Sequence, residues 1–289
     1  METLHNHIIN GNRIHWIDKG SGHPVVFIPG AIADYRIWEQ QLDEFARHFR
    51  VIIMNRRYQY PETCPKDSSS SVPDNCNDML GLLNHLDIKK ASLIGHSYGG
   101  YIALAFAEKH PQMVTRLVLE EPGVFSLITS NPNNPLKLVP LMLKDFRAAV
   151  SFMRSGIVGI KPTQKYLAKG KLQEARLAIA NGIIGHKVTL DQLHPVMRRG
   201  LEDNIASFEP DSRNAFDYQL SVARIKKIPI RTLLLSSDKA PKWFGYIARR
   251  LHQLLPNAEF VRTQSPTHWL HNDLADEFNE KVISFLQRS

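Results

Sequence analysis

The sequence predicts an α/β protein with a mostly parallel central sheet, helices on both faces and one helical insertion. Three observations carry this. Short strand-like runs at 25–28, 51–54 and 91–94 alternate with stretches of helical spacing, the pattern of strands buried on both faces and joined by helical crossovers. The alternation stops after Pro122 and resumes only at 230–235. Residues 91–100, Ala-Ser-Leu-Ile-Gly-His-Ser-Tyr-Gly-Gly, pass directly from a strand-like run into a helix-like one.

The elements follow in order. Two strand-like runs flank Asn10-Gly11-Asn12, and Asn-Gly between such runs signals a hairpin. The apolar run 25–28 ends at Pro29-Gly30-Ala31. Trp38, Leu42, Phe45 and Phe49 recur at helical spacing over 35–49. After the strand 51–54, the polar segment 58–73 holds three prolines and four consecutive serines and predicts a surface loop. A helix is expected over 74–86, with Asp74 as its N-cap. The helix after the glycine-rich turn ends at Lys109-His110-Pro111, and a strand at 117–119 runs into Glu120-Glu121-Pro122. Helical stretches at 137–153 and 172–180 follow, without an apolar strand. The last strands are expected at 230–235 and 259–262, with helices at 243–255 and 273–287. This divides the chain into a core of residues 1–122 and 228–289 and a helical cap of residues 123–227.

Composition narrows the function class. A chain of 289 residues, 43% hydrophobic and 22% charged, has the make-up of an ordinary globular protein large enough for a full core. It has no apolar run near the length of a membrane span, and its N-terminus lacks the pattern of a signal peptide. With two cysteines, Cys64 and Cys76, in a polar stretch, a cytoplasmic, disulfide-free protein is expected. The net charge of +8 is spread over many short pairs such as Lys89-Lys90 and Arg249-Arg250. That distribution predicts a solvated basic surface, not a nucleic-acid-binding face. No metal or cofactor is expected, since neither a His-Glu-x-x-His motif nor a dinucleotide fingerprint is present.

The chemistry centres on Gly95-His96-Ser97-Tyr98-Gly99. A strand that turns at once into a helix crowds the backbone around its central residue, so glycines are needed on either side. The serine is then held on a strained turn with its hydroxyl projecting from the sheet, the nucleophile elbow. A serine hydroxyl also needs a base to take its proton and a carboxylate to orient that base.

The segments 25–30, 95–100, 116–122 and 265–268 together resemble the α/β-hydrolase fold superfamily, in particular its single-domain serine hydrolases with a helical cap. The resemblance spans nearly the whole chain and is weakest over the cap. It implies Ser97 as nucleophile and His268, in the loop before the last helix, as base. His271 and His96 are then local hydrogen-bonding groups. The family usually places the acid after the seventh strand, where this chain has Ser236-Ser237-Asp238. Some relatives carry it after the sixth, where Glu120 and Glu121 stand. Glu121 is the first choice, Asp238 the alternative, and Glu120 the third. The resemblance implies an oxyanion hole of the Ala31 and Tyr98 amides, although Pro29-Gly30 stands where the family has His-Gly.

The expected activity is hydrolysis of a carbonyl substrate, an ester, lactone or thioester, through an acyl-enzyme and without cofactor. The alternatives are C–C bond hydrolysis next to a ketone and a non-catalytic ligand-binding protein or receptor of the same fold. Epoxide hydrolases and haloalkane dehalogenases share the fold but use an aspartate nucleophile, so Ser97 argues against both. The expected partner is a small acyl molecule, apolar or anionic. Phe125, Leu127, Phe146, Phe152, Met153 and Trp243 are candidates for an apolar lining, although their spacing suits ordinary core as well.

Overall fold

The computed structural model of the protein describes residues 2–288. Its sheet comprises β1 (His5–Ile9), β2 (Asn12–Lys19), β3 (Pro24–Ile28), β4 (Arg50–Met54), β5 (Ala91–His96), β6 (Val114–Glu120), β7 (Thr232–Ser237) and β8 (Ala258–Thr263). The spatial order is β1-β2-β4-β3-β5-β6-β7-β8. β1 and β2 form an antiparallel hairpin, β2 pairs antiparallel with β4, and every pair from β4 to β8 is parallel. The hairpin turns at Asn10 and Gly11, both at positive φ (50° and 80°), as a tight two-residue connection requires.

The core helices are α1 (Glu39–Ala46), α2 (Val72–His85), α3 (Tyr98–Lys109), α11 (Lys242–Leu254), α12 (Leu270–Asp273) and α13 (Ala275–Gln287). Between β6 and β7 lie α4 (Val139–Lys144), α5 (Phe146–Arg154), α6 (Lys161–Leu167), α7 (Leu172–Ile184), α8 (Pro195–Asn204), α9 (Phe208–Asn214) and α10 (Val222–Ile225), with no strand among the described residues there. Strand alternation divides the apolar side chains between two layers. Val26 and Ile28 of β3 pack with Met79, Ile102, Phe106 and Leu251 from α2, α3 and α11. Val25 and Phe27 pack with Trp38, Phe45, Val282 and Phe285 near α1 and α13.

Several boundaries differ from the sequence expectation for local reasons. The helix expected over 74–86 begins at Val72, because Ser71 is the N-cap and Asp74 completes a reciprocal capping box with it. The first four residues of the expected helix 35–49 form a 3₁₀ turn, Tyr35–Trp38, capped by Asp34. The stretch 137–153 is broken at Asp145, whose carboxylate accepts from the Ala148 amide and so starts α5 anew. The last helix is likewise preceded by the separate short turn α12, the chain extending at Leu274 (φ −134°).

Register brings the candidate loops together. Ile28 stands opposite Gly95, His96 opposite Glu120, and Glu120 opposite Leu235. The carboxyl ends of β3, β5, β6, β7 and β8 therefore share one edge, beside the point where the strand order reverses. Open α/β sheets bind their ligands at that position.

Candidate active site

The backbone of Ser97 has φ 53° and ψ −116°, a region that residues other than glycine seldom occupy. The neighbouring glycines are required sterically. A Cβ on Gly95 would lie 2.5 Å from the Gly99 carbonyl oxygen, and one on Gly99 would lie 2.3 Å from that of Ile28. Hydrogen bonds hold the strained turn: the Ser97 amide donates to the Glu120 carbonyl (2.9 Å), and the Ser97 carbonyl accepts from the amides of Tyr101 and Gly123 (3.2 and 2.9 Å). Tyr98 opens α3 immediately afterwards, so its amide belongs to the first turn, where backbone donors lack intrahelical partners.

The loop after β3 runs against this turn, since a Cβ on Gly30 would come within 3.2 Å of the Ser97 Cβ. The Gly30 carbonyl accepts from Arg56 Nη2 (3.0 Å) and Gln59 Nε2 (3.2 Å). In a trans peptide the N–H of the next residue points opposite to that carbonyl, so this anchoring fixes the direction of the Ala31 amide.

His268 lies in the loop between β8 and α12 and is buried. Its ring packs on Phe244 with centroids 4.0 Å apart, and its carbonyl is within hydrogen-bonding distance of His96 Nε2 (3.1 Å). His268 Nδ1 stands 3.5 Å from Glu121 Oε2; neither of these atoms, nor His268 Nε2, has a hydrogen-bond partner. Glu121 Oε1 accepts from the Ser237 amide at 2.5 Å. Burial shapes both groups: desolvation pushes the Glu121 carboxyl up to about 8 and the His268 ring down to about 3. Glu121 itself sits at positive φ, 45°.

Directly beside it is a second glutamate–histidine pair. Glu120 accepts from the His271 amide (3.2 Å) and contacts His271 Nδ1 at 2.7 and 2.8 Å. Both residues are buried, and Trp38 covers the His271 ring at 4.2 Å. His96, Glu120 and His271 bring potential ligand atoms within 4.8 Å of one another. Nitrogen and carboxylate oxygen donors suit a transition metal, but Glu120 is already in hydrogen-bond contact with His271. Asp238 lies elsewhere in its loop, half-buried, with its carboxylate taken by Arg262 Nε (2.7 Å) and Gln264 Nε2 (2.9 Å).

A buried polar cluster joins this edge to the helical segment above it. Arg56 forms a two-pronged ion pair with Asp211 of α9 (2.9 and 2.7 Å), and Ser70 also donates to Asp211 (2.7 Å). The Arg56 guanidinium lies 5.2 Å from the Tyr98 ring centre, and the Tyr98 hydroxyl donates to the Ser70 carbonyl (3.1 Å). Nothing in the sequence pattern singled out Arg56 or Asp211, and although Glu120 and His271 were each named, their pairing was not. The doublet Glu120-Glu121 facing the spacing His268-x-x-His271 was the available signal for the latter.

Of the candidate lining residues, Phe152 and Met153 border a cavity of about 1300 Å³ with Leu138, Ile157, Ile160 and Phe216. Phe125 and Trp243 pack with Phe152 and Phe216 in an aromatic cluster. Leu127 packs half-buried against the core. Phe146 faces solvent.

A model of the alpha/beta hydrolase fold matches residues 23–273. Among curated proteins, the chain is 24% identical to a cis-3-alkyl-4-alkyloxetan-2-one decarboxylase of Shewanella oneidensis, over 96% of this chain and 86% of that one. It is 26% identical to a 2-hydroxy-6-oxononadienedioate/2-hydroxy-6-oxononatrienedioate hydrolase of Burkholderia vietnamiensis, over 96% and 91% of the two chains. Among solved structures, the carboxylesterase CesB of Bacillus subtilis superposes with a TM-score of 0.70 at 18% identity, covering 99% of this chain and 92% of that one. At that identity the likeness speaks to the fold.

Proposed function

The chain belongs to the alpha/beta hydrolase fold family, and on that premise we propose that it is a serine hydrolase acting on a carbonyl substrate, an ester, lactone or thioester. The observation that carries this is the strained, glycine-flanked Ser97 on the same sheet edge as a buried histidine held neutral by desolvation. His268 takes the Ser97 hydroxyl proton as the oxygen attacks the carbonyl carbon. The resulting imidazolium is stabilised by Glu121, and the tetrahedral oxyanion by the Ala31 and Tyr98 amides. The intermediate collapses, the leaving group departs with the proton from His268, and water then cleaves the acyl-enzyme by the same steps.

In this proposal residues 1–122 and 228–289 form the catalytic core, and residues 123–227 a cap that sets specificity. The strand-free run between β6 and β7 supports that division. We place the protein in the cytoplasm, a reading consistent with two free cysteines. Among the described residues no helix is long and apolar enough to cross a membrane.

Hydrolysis of a C–C bond next to a ketone is a second reading, favoured by the likeness to the nonadienedioate hydrolase over nearly all of both chains. The test is labelling by a serine-directed phosphonate, with turnover measured on short and long esters, lactones (an oxetan-2-one among them) and a vinylogous diketone acid. Labelling of the wild type and none of Ser97→Ala is expected. Equal labelling of both, or of neither, refutes the mechanism, and turnover of the diketone acid alone selects the second reading. A receptor would show no turnover dependent on Ser97.

A further inference from the structure

The outer face of the cap is apolar where a soluble surface is ordinarily polar. Leu136, Leu143, Phe146 and Ile157 are 76%, 84%, 61% and 66% exposed. They are close in sequence, on the turn before α4, on α4, on α5 and on the stretch that follows α5. Helix α5 shows how this arises. Its inner face buries Ala148, Ala149 and Phe152, yet its outer side carries Phe146 and Val150, both exposed. A helix apolar on two sides calls for a second apolar environment beyond the core.

Charge identifies what that environment is. Residues 136–171 hold eight lysines and arginines and one acid, Asp145, so seven of the chain's eight net positive charges fall in this stretch. Asp145 is occupied as the N-cap of α5 and by Arg249. The cations stand beside the apolar anchors: Lys144 follows Leu143, Arg147 follows Phe146, and Arg154 comes between Val150 and Ile157. All three cations are exposed. Next to α5, Arg147, Arg154, Lys239 and Lys242 border a concavity of about 440 Å³ with Phe146 and Val150.

Exposed apolar anchors interleaved with cations match an anionic lipid surface, where the first enter the acyl boundary and the second meet the headgroups. Two other occupants fit less well. Six of the eight cations are lysines, the residue depleted from protein–protein interfaces. A second copy of this chain would set the same positive face against itself, which like charges oppose.

We propose that the 136–171 face of the cap docks on a bilayer containing anionic lipid, with Leu143, Phe146 and Ile157 as the inserted anchors. Ile157 also borders the 1300 Å³ cavity, so the docked face adjoins that cavity. This proposal does not depend on the catalytic one.

The test is flotation of the full chain with vesicles of phosphatidylcholine alone and of phosphatidylcholine mixed with phosphatidylglycerol. The protein is expected to float with the mixed vesicles only and to be released by raised salt. At about 1 kcal/mol per cation, Lys144→Gln with Arg147→Gln and Arg154→Gln should weaken partitioning by about a hundredfold. Leu143→Ser with Phe146→Ser should also abolish flotation, with an unchanged melting temperature because both side chains are exposed. Lys89→Gln with Lys90→Gln, at the opposite end of β5 from Ser97, should float as the wild type does. Equal flotation with both vesicle types, no flotation, or variants that float normally would each overturn the proposal. So would light scattering that shows a dimer converted to monomer by the Leu143/Phe146 change, which would assign the face to self-association.

Discussion

Replacing Glu121 by glutamine separates the two carboxylates that the sequence left in competition. Glutamine can still accept from the Ser237 amide through its carbonyl oxygen, so the local fold should persist while the charge is lost. With 3.5 Å between His268 Nδ1 and Glu121 Oε2 and an effective dielectric constant of about 20, the carboxylate stabilises the imidazolium by about 5 kcal/mol. At about 1.4 kcal/mol per decade, Glu121→Gln should lower kcat by 10³ to 10⁴, measured by ester turnover at about pH 9. Asp238→Asn should change kcat by less than about threefold, because the Asp238 charge is already balanced by Arg262. The pH profile gives a second readout. Below about 8 the Glu121 carboxyl holds its proton and carries no charge with which to stabilise the imidazolium. Wild-type kcat/KM should therefore rise with pH through about 8, and the variant should lack that limb. A loss of about a thousandfold in Asp238→Asn, with a mild effect in Glu121→Gln, would refute the reasoning.

Two further outcomes follow from buried charge. Each glutamate–histidine pair holds one proton when folded, between the lowered histidine value of about 3 and the raised glutamate value of about 8. The unfolded pair has lost both protons above about 6.5. The folded state thus binds the extra proton between about pH 6.5 and 8, and stability should fall as pH rises through that window, by about 2 kcal/mol per pair. Urea titrations across that range test this, and Glu120→Gln should remove its pair's share of the slope. Arg56→Ala strands the buried Asp211 carboxylate and should cost about 3–5 kcal/mol in urea unfolding. Replacing both Arg56 and Asp211 by Met and Leu should recover most of that loss in stability, though not the Arg56 bond to the Gly30 carbonyl or the rate that depends on it.

The fold was legible because its signals are local. Continuous apolar runs, Asn10-Gly11 and the 95–99 turn each specify an element without knowledge of the rest, and the parallel order follows from their alternation. Helix starts were less legible where a side chain captured a nearby amide, as Ser71 does at α2 and Asp145 at α5. Periodicity counts apolar residues and is blind to such caps. Ser97 and His268 were named from motif and loop position; the structure sets both at the carboxyl edge of the parallel strands, with His268 Nε2 lacking a hydrogen-bond partner.

The acid was ambiguous for a geometric reason. In a regular strand Glu120 and Glu121 would point to opposite faces, so one at most could serve the histidine loop. The positive φ of Glu121 breaks that alternation, and the two carboxylates reach His268 and His271, which lie three residues apart. The doublet therefore divides its roles: Glu120 anchors the loop, and Glu121 faces His268. Glu120 fixes the His271 end through its ring and amide, His96 stands against the His268 carbonyl, and Glu121 is left with one unpartnered oxygen opposite His268 Nδ1. A loop pinned on both sides of its histidine confines the ring to a narrow range of orientations. That confinement is what proton transfer from a serine 171 positions earlier in the chain would demand, because the rate of such a step depends steeply on alignment.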